Sequence, residues 1–183
     1  MPTRANVKLL APALADDKGL VEELVRLVNG AFAVSESGLW LEGVARTAPS
    51  EIVAAIRSGG MLAATHEGRL VGCAYVHPLD PDRADLGLLA AAPERWGSGV
   101  GRELVRAAEE LMRSRGVATM QMELLVPKGR AHPEKERLRE WYTRLGFRVT
   151  GTVPVEQMVS HGASKLAVPC EFLVFRKPME VTG

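Results

Sequence analysis

The chain has 183 residues, 46% of them hydrophobic and 25% charged, with a formal net charge of +1. That length suits one domain, residues 1–183, with a core of ordinary size, and the near-neutral balance argues against a broad basic surface for nucleic acid. The N-terminal M-P-T-R-A-N-V-K lacks the apolar run of a signal peptide, and no apolar stretch reaches membrane-spanning length. Cys73 and Cys170 each lie in an apolar run, which fits free thiols in a reducing cytoplasm better than a disulfide scaffold.

In chain order, residues 7–10 read as a first strand. Asp16 or Asp17 then caps a helix whose apolar face is Leu20, Leu24, Leu27, Val28 and Ala31. The pattern breaks at S-E-S-G-L-W, a connection holding Glu36 and Trp40. Trp40 is better placed to cap the core than to line a pocket. A second helix over 50–57 ends at Gly59, and 61–65 with 70–76 form a hairpin about E-G-R. The strand 84–91 is followed by A-P-E-R-W-G-S-G-V-G-R. Next comes a helix with Val100, Leu104, Val105, Ala108, Leu111 and Met112 at helical spacing, ended by Gly116. Residues 117–126 are the next strand. After the exposed run P-K-G-R-A-H-P-E-K, a helix over 134–145 stops at Gly146. Residues 147–150 and 170–176 are the last strands. The long connection 151–169 between them calls for a functional role or a small helix of its own, placed at 157–161.

The strand, glycine-rich turn and helix around Gly97, Gly99 and Gly101 define a place where backbone approaches a ligand closely and unpaired N–H groups point outward. Such a turn suits a phosphate or pyrophosphate. A dinucleotide fingerprint fails, because its last glycine falls on Arg102 counting from Gly97, or on Leu104 counting from Gly99. A P-loop fails for want of Gly-Lys-Ser/Thr. What remains, x-x-G-x-G opening a helix, resembles the acyl-CoA pyrophosphate loop of the GNAT family of N-acetyltransferases. The departure is Trp96, where that family usually has Gln or Arg; Arg95 stands one place early. A second motif, W-Y-T-R-L-G-F over 141–147, is similar to the family's tyrosine followed by x-x-x-Gly-Phe. The order β-α-α-β-β-β-α-β-α-β-β is also the family's.

The resemblance implies a mixed, mostly antiparallel α/β sheet flanked by helices, and transfer of an acetyl group from acetyl-CoA to a primary amine, a small molecule before a protein. It leaves a homodimer open. The backbone of Trp96, Gly97, Ser98, Gly99, Val100, Gly101 and Arg102 would hold the pyrophosphate. Leu89, Ala90 and Ala91 would present the strand edge to pantetheine. Arg102, Arg106 and Lys128 are candidates for the ribose phosphate, or solvated surface charges. Tyr142 is the candidate acid for the leaving thiolate, since a phenol stays protonated at neutral pH. Two carboxylates compete as base. Glu123 ranks first, alone in the apolar M-Q-M-E-L-L-V; Asp85 follows, with the alternative that it begins its strand in solvent beside Arg83. The loop histidines His132 and His161 rank behind both. No metal is called for, and the four histidines form no H-x-x-x-H pair. From another class, a non-catalytic acyl-CoA-binding regulatory module remains, hinted at by Trp96. The acceptor pocket is expected between S-E-S-G-L-W, the H-P-E-K segment and the connection after Gly151.

Overall fold

The computed structural model describes residues 4–159 and 162–180. Seven strands make one sheet: β1 Asn6–Leu9, β2 Met61–His66, β3 Arg69–Pro78, β4 Arg83–Ala91, β5 Thr119–Pro127, β6 Arg148–Pro154 and β7 Cys170–Pro178. Their spatial order is β1-β2-β3-β4-β5-β7-β6, and every pairing is antiparallel except β4 with β5. The helices are α1 Lys18–Ser35, α2 Pro49–Arg57, α3 Val100–Ser114, α4 Pro133–Arg144 and the single turn α5 Val155–Met158.

The helix starts have local causes. Asp17 Oδ1 accepts from Leu20 N at 3.0 Å, capping α1. Glu51 Oε2 reaches back to Ala48 N at 3.0 Å and takes the Thr47 hydroxyl at 2.9 Å, which fixes the entry into α2. Pro133 opens α4, where its missing N–H costs nothing.

Strand alternation sorts the core onto two faces. One cluster packs Val100, Leu104, Val105, Ala108 and Met112 of α3 with Tyr142 and Phe147 on Val71, Ala74, Val76, Leu86, Met120, Met122 and Leu124. The opposite face carries Leu24, Val28 and Ala31 of α1 with Ile52 and Ile56 of α2 on Met61, Cys73 and Ala90. Both cysteines are buried free thiols. Among the described residues no helix is long and apolar enough to cross a membrane.

The feature that makes a site is the parting of β4 from β5. They pair only at Arg83–Thr119, Ala84–Met120 and Asp85–Gln121, although β4 continues to Ala91 and β5 to Pro127. Beyond Asp85 a slot opens in the middle of the sheet.

The long connection differs from expectation. β6 runs on to Pro154, because its residues find partners along β7 as far as Glu171. A small helix is present at Val155–Met158, overlapping the expected 157–161, of which residues 160 and 161 lie outside the described residues. A 3-10 turn, Ala163–Lys165, follows.

Candidate active site

A cavity of about 830 Å³ fills the slot and extends under α1 on one face and α4 on the other. Its floor is β4 from Asp85 to Ala91 and β5 from Met122 to Leu125. At one end lies the glycine-rich turn. Gly97 and Gly99 adopt φ of 82° and 94°, left-handed values that glycine takes without Cβ strain. The first N–H groups of α3 follow directly and have no carbonyl one turn back. A Cβ on Gly101 would meet the Trp141 ring at 3.0 Å, so that glycine lets α3 and α4 approach.

Trp96 has a definite task. Its indole N–H donates to the Ala91 carbonyl at 2.9 Å, and the Arg137 guanidinium lies over its ring at 4.9 Å. The side chain ties the turn to the end of β4 and to α4. Arg95 pairs with His66 Nδ1 at 2.8 Å, fastening the turn to β2. Of the ribose-phosphate candidates, Arg102 lines the cavity; Arg106 pairs instead with Glu103 at 3.2 Å.

Asp85 and Glu123 meet across the slot. Asp85 lies between Ala84 and Leu86, and Glu123 between Met122 and Leu124, so both carboxyls project toward the α1–α2 side. Burial, and then the Glu123 charge and hydrogen bond, push the Asp85 carboxyl up to about 8. At neutral pH Asp85 keeps its proton and donates it in a hydrogen bond to Glu123. Glu123 Oε1 also accepts from Gln121 Nε2 at 2.8 Å, and Gln121 Oε1 from Arg176 Nε at 2.9 Å. Asp85 therefore does not begin its strand in solvent; the Arg83 guanidinium beside it is held by Asp80 at 2.7 Å instead. In register with Asp85 stands His77, stacked on Tyr75 at 4.8 Å, with Nδ1 buried and unpartnered. Burial lowers its pKa against the opposing pull of Glu123. His77 lines the cavity and was missed among the candidates, although it alternates with buried Val76 as Asp85 does with Ala84.

Tyr142 enters from α4. Its ring is wedged edge-on to Phe175 at 5.5 Å and Phe147 at 6.4 Å, and it lines the cavity. Burial, then the negative charge of Glu36, drives its pKa above the ordinary phenol value, so the hydroxyl stays protonated. Nearby, β4 carries a bulge: Cys73 pairs with Ala90 and Tyr75 with Gly87, leaving Leu88 and Leu89 opposite Ala74. Leu88 takes φ 48°, rare for a branched side chain. A bulge beside a ligand cavity re-aims backbone N–H and C=O groups. Nothing in the sequence marks it.

The three expected walls of the acceptor pocket do come together. Leu41 N donates to Lys165 O and Ala167 N to Leu39 O, both at 2.8 Å. His132 Nε2 meets Ser37 O at 2.8 Å. His132 is thus buried and structurally engaged rather than an exposed loop base, and His161 lies outside the described residues. Trp40 caps a satellite core of Leu39, Leu125, Val155, Cys170 and Phe172, and its indole N–H donates to Glu36 at 3.0 Å. Glu36 is the hub of this wall. It ion-pairs with Lys135 of α4 at 2.9 Å, both side chains being 2% exposed, and with Arg46. Because α1 and α4 cover opposite faces, the Glu36–Lys135 pair spans the open end of the slot.

A model of the acetyltransferase (GNAT) family matches residues 30–147. The chain belongs to that family, and the expectation of an acetyl-CoA-dependent acetyltransferase stands with it. No curated protein matches the chain in sequence. Solved structures share the fold at low identity. An aminoglycoside 6'-N-acetyltransferase complexed with coenzyme A has a TM-score of 0.72 at 17% identity, covering 97% of this chain and 99% of that one. A paiA N-acetyltransferase from Thermoplasma acidophilum, also complexed with coenzyme A, has 0.69 at 15%, covering 96% and 99%. The ribosomal-protein-S18-alanine N-acetyltransferase from Escherichia coli has 0.67 at 15%, covering 98% and 97%.

Proposed function

We propose that the protein acetylates the primary amine of a small molecule by direct attack on acetyl-CoA. The observation that carries this reading is the Asp85–Glu123 pair, two carboxyls joined by a hydrogen bond where β4 and β5 part and the slot begins. The pyrophosphate sits on the turn 96–102, and the pantetheine arm runs along Leu89, Ala90 and Ala91, whose outer backbone groups have lost β5 as a partner. The amine enters from the α1–α2 side, where Glu123 draws the ammonium and takes its proton. The amine nitrogen bonds to the thioester carbon as the carbon–sulfur bond breaks. The leaving thiolate receives the proton of Tyr142, which enters from the opposite face, and the second proton that the nitrogen sheds on becoming an amide returns through water to the tyrosinate. Glu123 acts as base, with the protonated Asp85 hydrogen-bonded to it. Backbone N–H groups at the Leu88 bulge are placed to meet the developing oxyanion.

The walled cavity favours a small amine over a protein chain, and the contacts of Trp96 with Ala91 and Arg137 give its departure from the family pattern a scaffolding reason. Buried free thiols fit a cytoplasmic site of action. Thiol release from acetyl-CoA is measured across a panel of small amines and peptides. Turnover on small amines is the expected result. CoA binding with no turnover on any amine would overturn the proposal.

A further inference from the structure

Glu36 is shared between two cations, Lys135 and Arg46, inside the acceptor wall. The other nearby carboxylate, Glu51, is engaged by the Thr47 hydroxyl and the Ala48 N–H. Lys135 is satisfied, with Nζ donating to Glu36 at 2.9 Å. Arg46 is not. Its Nε lies against Glu36 Oε1 as an ion pair, but no acceptor is aligned with that N–H. Among the described residues, no side chain or carbonyl accepts from its terminal nitrogens either.

The guanidinium is nonetheless held firmly. It lies over the Phe32 ring at 5.0 Å and the Trp40 ring at 5.2 Å, and Trp40 is itself fixed by its bond to Glu36. The Arg46 backbone N–H is tied to Asn29 Oδ1 at 2.9 Å. A rigid planar fork with open donors is a receptor for a carboxylate, which it grips with two parallel hydrogen bonds. It lines the same cavity as Asp85 and Glu123, on the same α1–α2 side of the sheet.

We infer that the acceptor is an amino-carboxylate, its carboxylate docked on Arg46 while its amine faces Asp85 and Glu123. The two recognition points carry opposite charge, so a zwitterionic amino acid or a related amino-carboxylate fits both. A plain amine leaves the Arg46 fork unsatisfied. This deepens the acetyl-transfer proposal and rests on it for the place of the amine, but the Arg46 site can be tested without turnover.

The test has two arms. In the first, calorimetry of the CoA-loaded protein follows binding of N-acetyl amino acids, the products of such a reaction, against their carboxamides. Acids are expected to bind and carboxamides to bind roughly 10- to 100-fold more weakly, the range for losing a charge-assisted pair. Arg46→Gln should abolish that difference, and Arg46→Lys should restore it only in part. Arg46→Gln leaves Glu36 bonded to Lys135, so the variant should still fold, with a modest drop in unfolding temperature from the lost stacking on Phe32 and Trp40, and Arg46→Lys is the control that keeps the charge. Failure of the CoA complex to prefer any acid over its carboxamide would overturn the inference, whatever the enzyme acetylates. In the second arm, amino acids are compared with their decarboxylated amines as acceptors. Arg46→Gln should raise KM for the amino acids by the same factor with little change in kcat, and leave the amines unaffected. An equal loss on both sets would reduce Arg46 to a structural role and overturn the assignment.

Discussion

Asp85 carries a proton at neutral pH because the fold denies it water and sets a second carboxyl beside it. Its ordinary value of 3.8 applies to the unfolded chain, while the folded value is about 8. Between those values the native state binds a proton that the unfolded state releases, so this group makes stability fall as pH rises from about 4 to about 8. Asp85→Asn keeps the shape and removes the titration. Urea unfolding should show the variant gaining on wild type as pH climbs through that window; parallel curves would mean that the carboxyl is not desolvated as described. In turnover, Glu123→Gln is expected to cost more than Asp85→Asn, most clearly at low pH where neutral amine is scarce, and the reverse order would make Asp85 the base. Tyr142→Phe preserves the packing on Phe175 and Phe147 and should lower turnover by about 10²- to 10⁴-fold with CoA affinity barely changed. Near-full turnover with unchanged unfolding would leave water as the proton donor. At this scale the sequence announced Tyr142 by its spacing to Gly146 and Phe147, and Glu123 by its apolar neighbours. Glu36 and Lys135 are 99 residues apart, and no local pattern tells a paired buried carboxylate from a solvated loop glutamate.

The turn between β4 and α3 is proposed to hold the pyrophosphate through its backbone, so its tests are those of conformation. Gly99→Asp puts a Cβ at φ 94° and a negative charge where a phosphate would lie, and should abolish CoA binding in calorimetry. Trp96→Phe keeps an aromatic ring beneath Arg137 and deletes the hydrogen bond to Ala91. A bond of that kind contributes about 1 kcal/mol, so CoA affinity should drop by roughly five-fold. A change within error would mean that the turn is held by Arg95 and His66 alone. The element was visible in sequence because glycines at alternate positions between an apolar strand and a helical repeat have few other uses. The Leu88 bulge was not, since leucine favours an ordinary strand and its positive φ is imposed by pairing with β3 on either side. β6 was read short for a related reason: its side chains are mostly exposed, and only the ladder to β7 shows that 151–154 continue the strand.

The architecture as a whole was legible as a list of elements and much less so as an arrangement. Alternation and helical spacing gave each strand and helix to within a few residues, but no stretch of sequence says that β7 inserts between β5 and β6, or that β4 and β5 part after three residue pairs. That parting has a consequence for how the empty molecule exchanges protons with solvent. Past Asp85, the β4 amides that would face β5 have no strand to bond to, while those facing β3 stay paired on either side of the Leu88–Leu89 bulge. In deuterium exchange the two sets should separate: over 86–91 the amides aimed at the slot and those of the Leu88–Leu89 bulge exchange early, and those paired with β3 on either side of the bulge late. Adding CoA should slow the early set as the pantetheine arm takes the place of the missing strand, and the melting temperature should climb with CoA concentration because only the folded chain binds it. The protein is then a sheet finished by its own co-substrate, and how tightly its middle is knit depends on how much acetyl-CoA surrounds it.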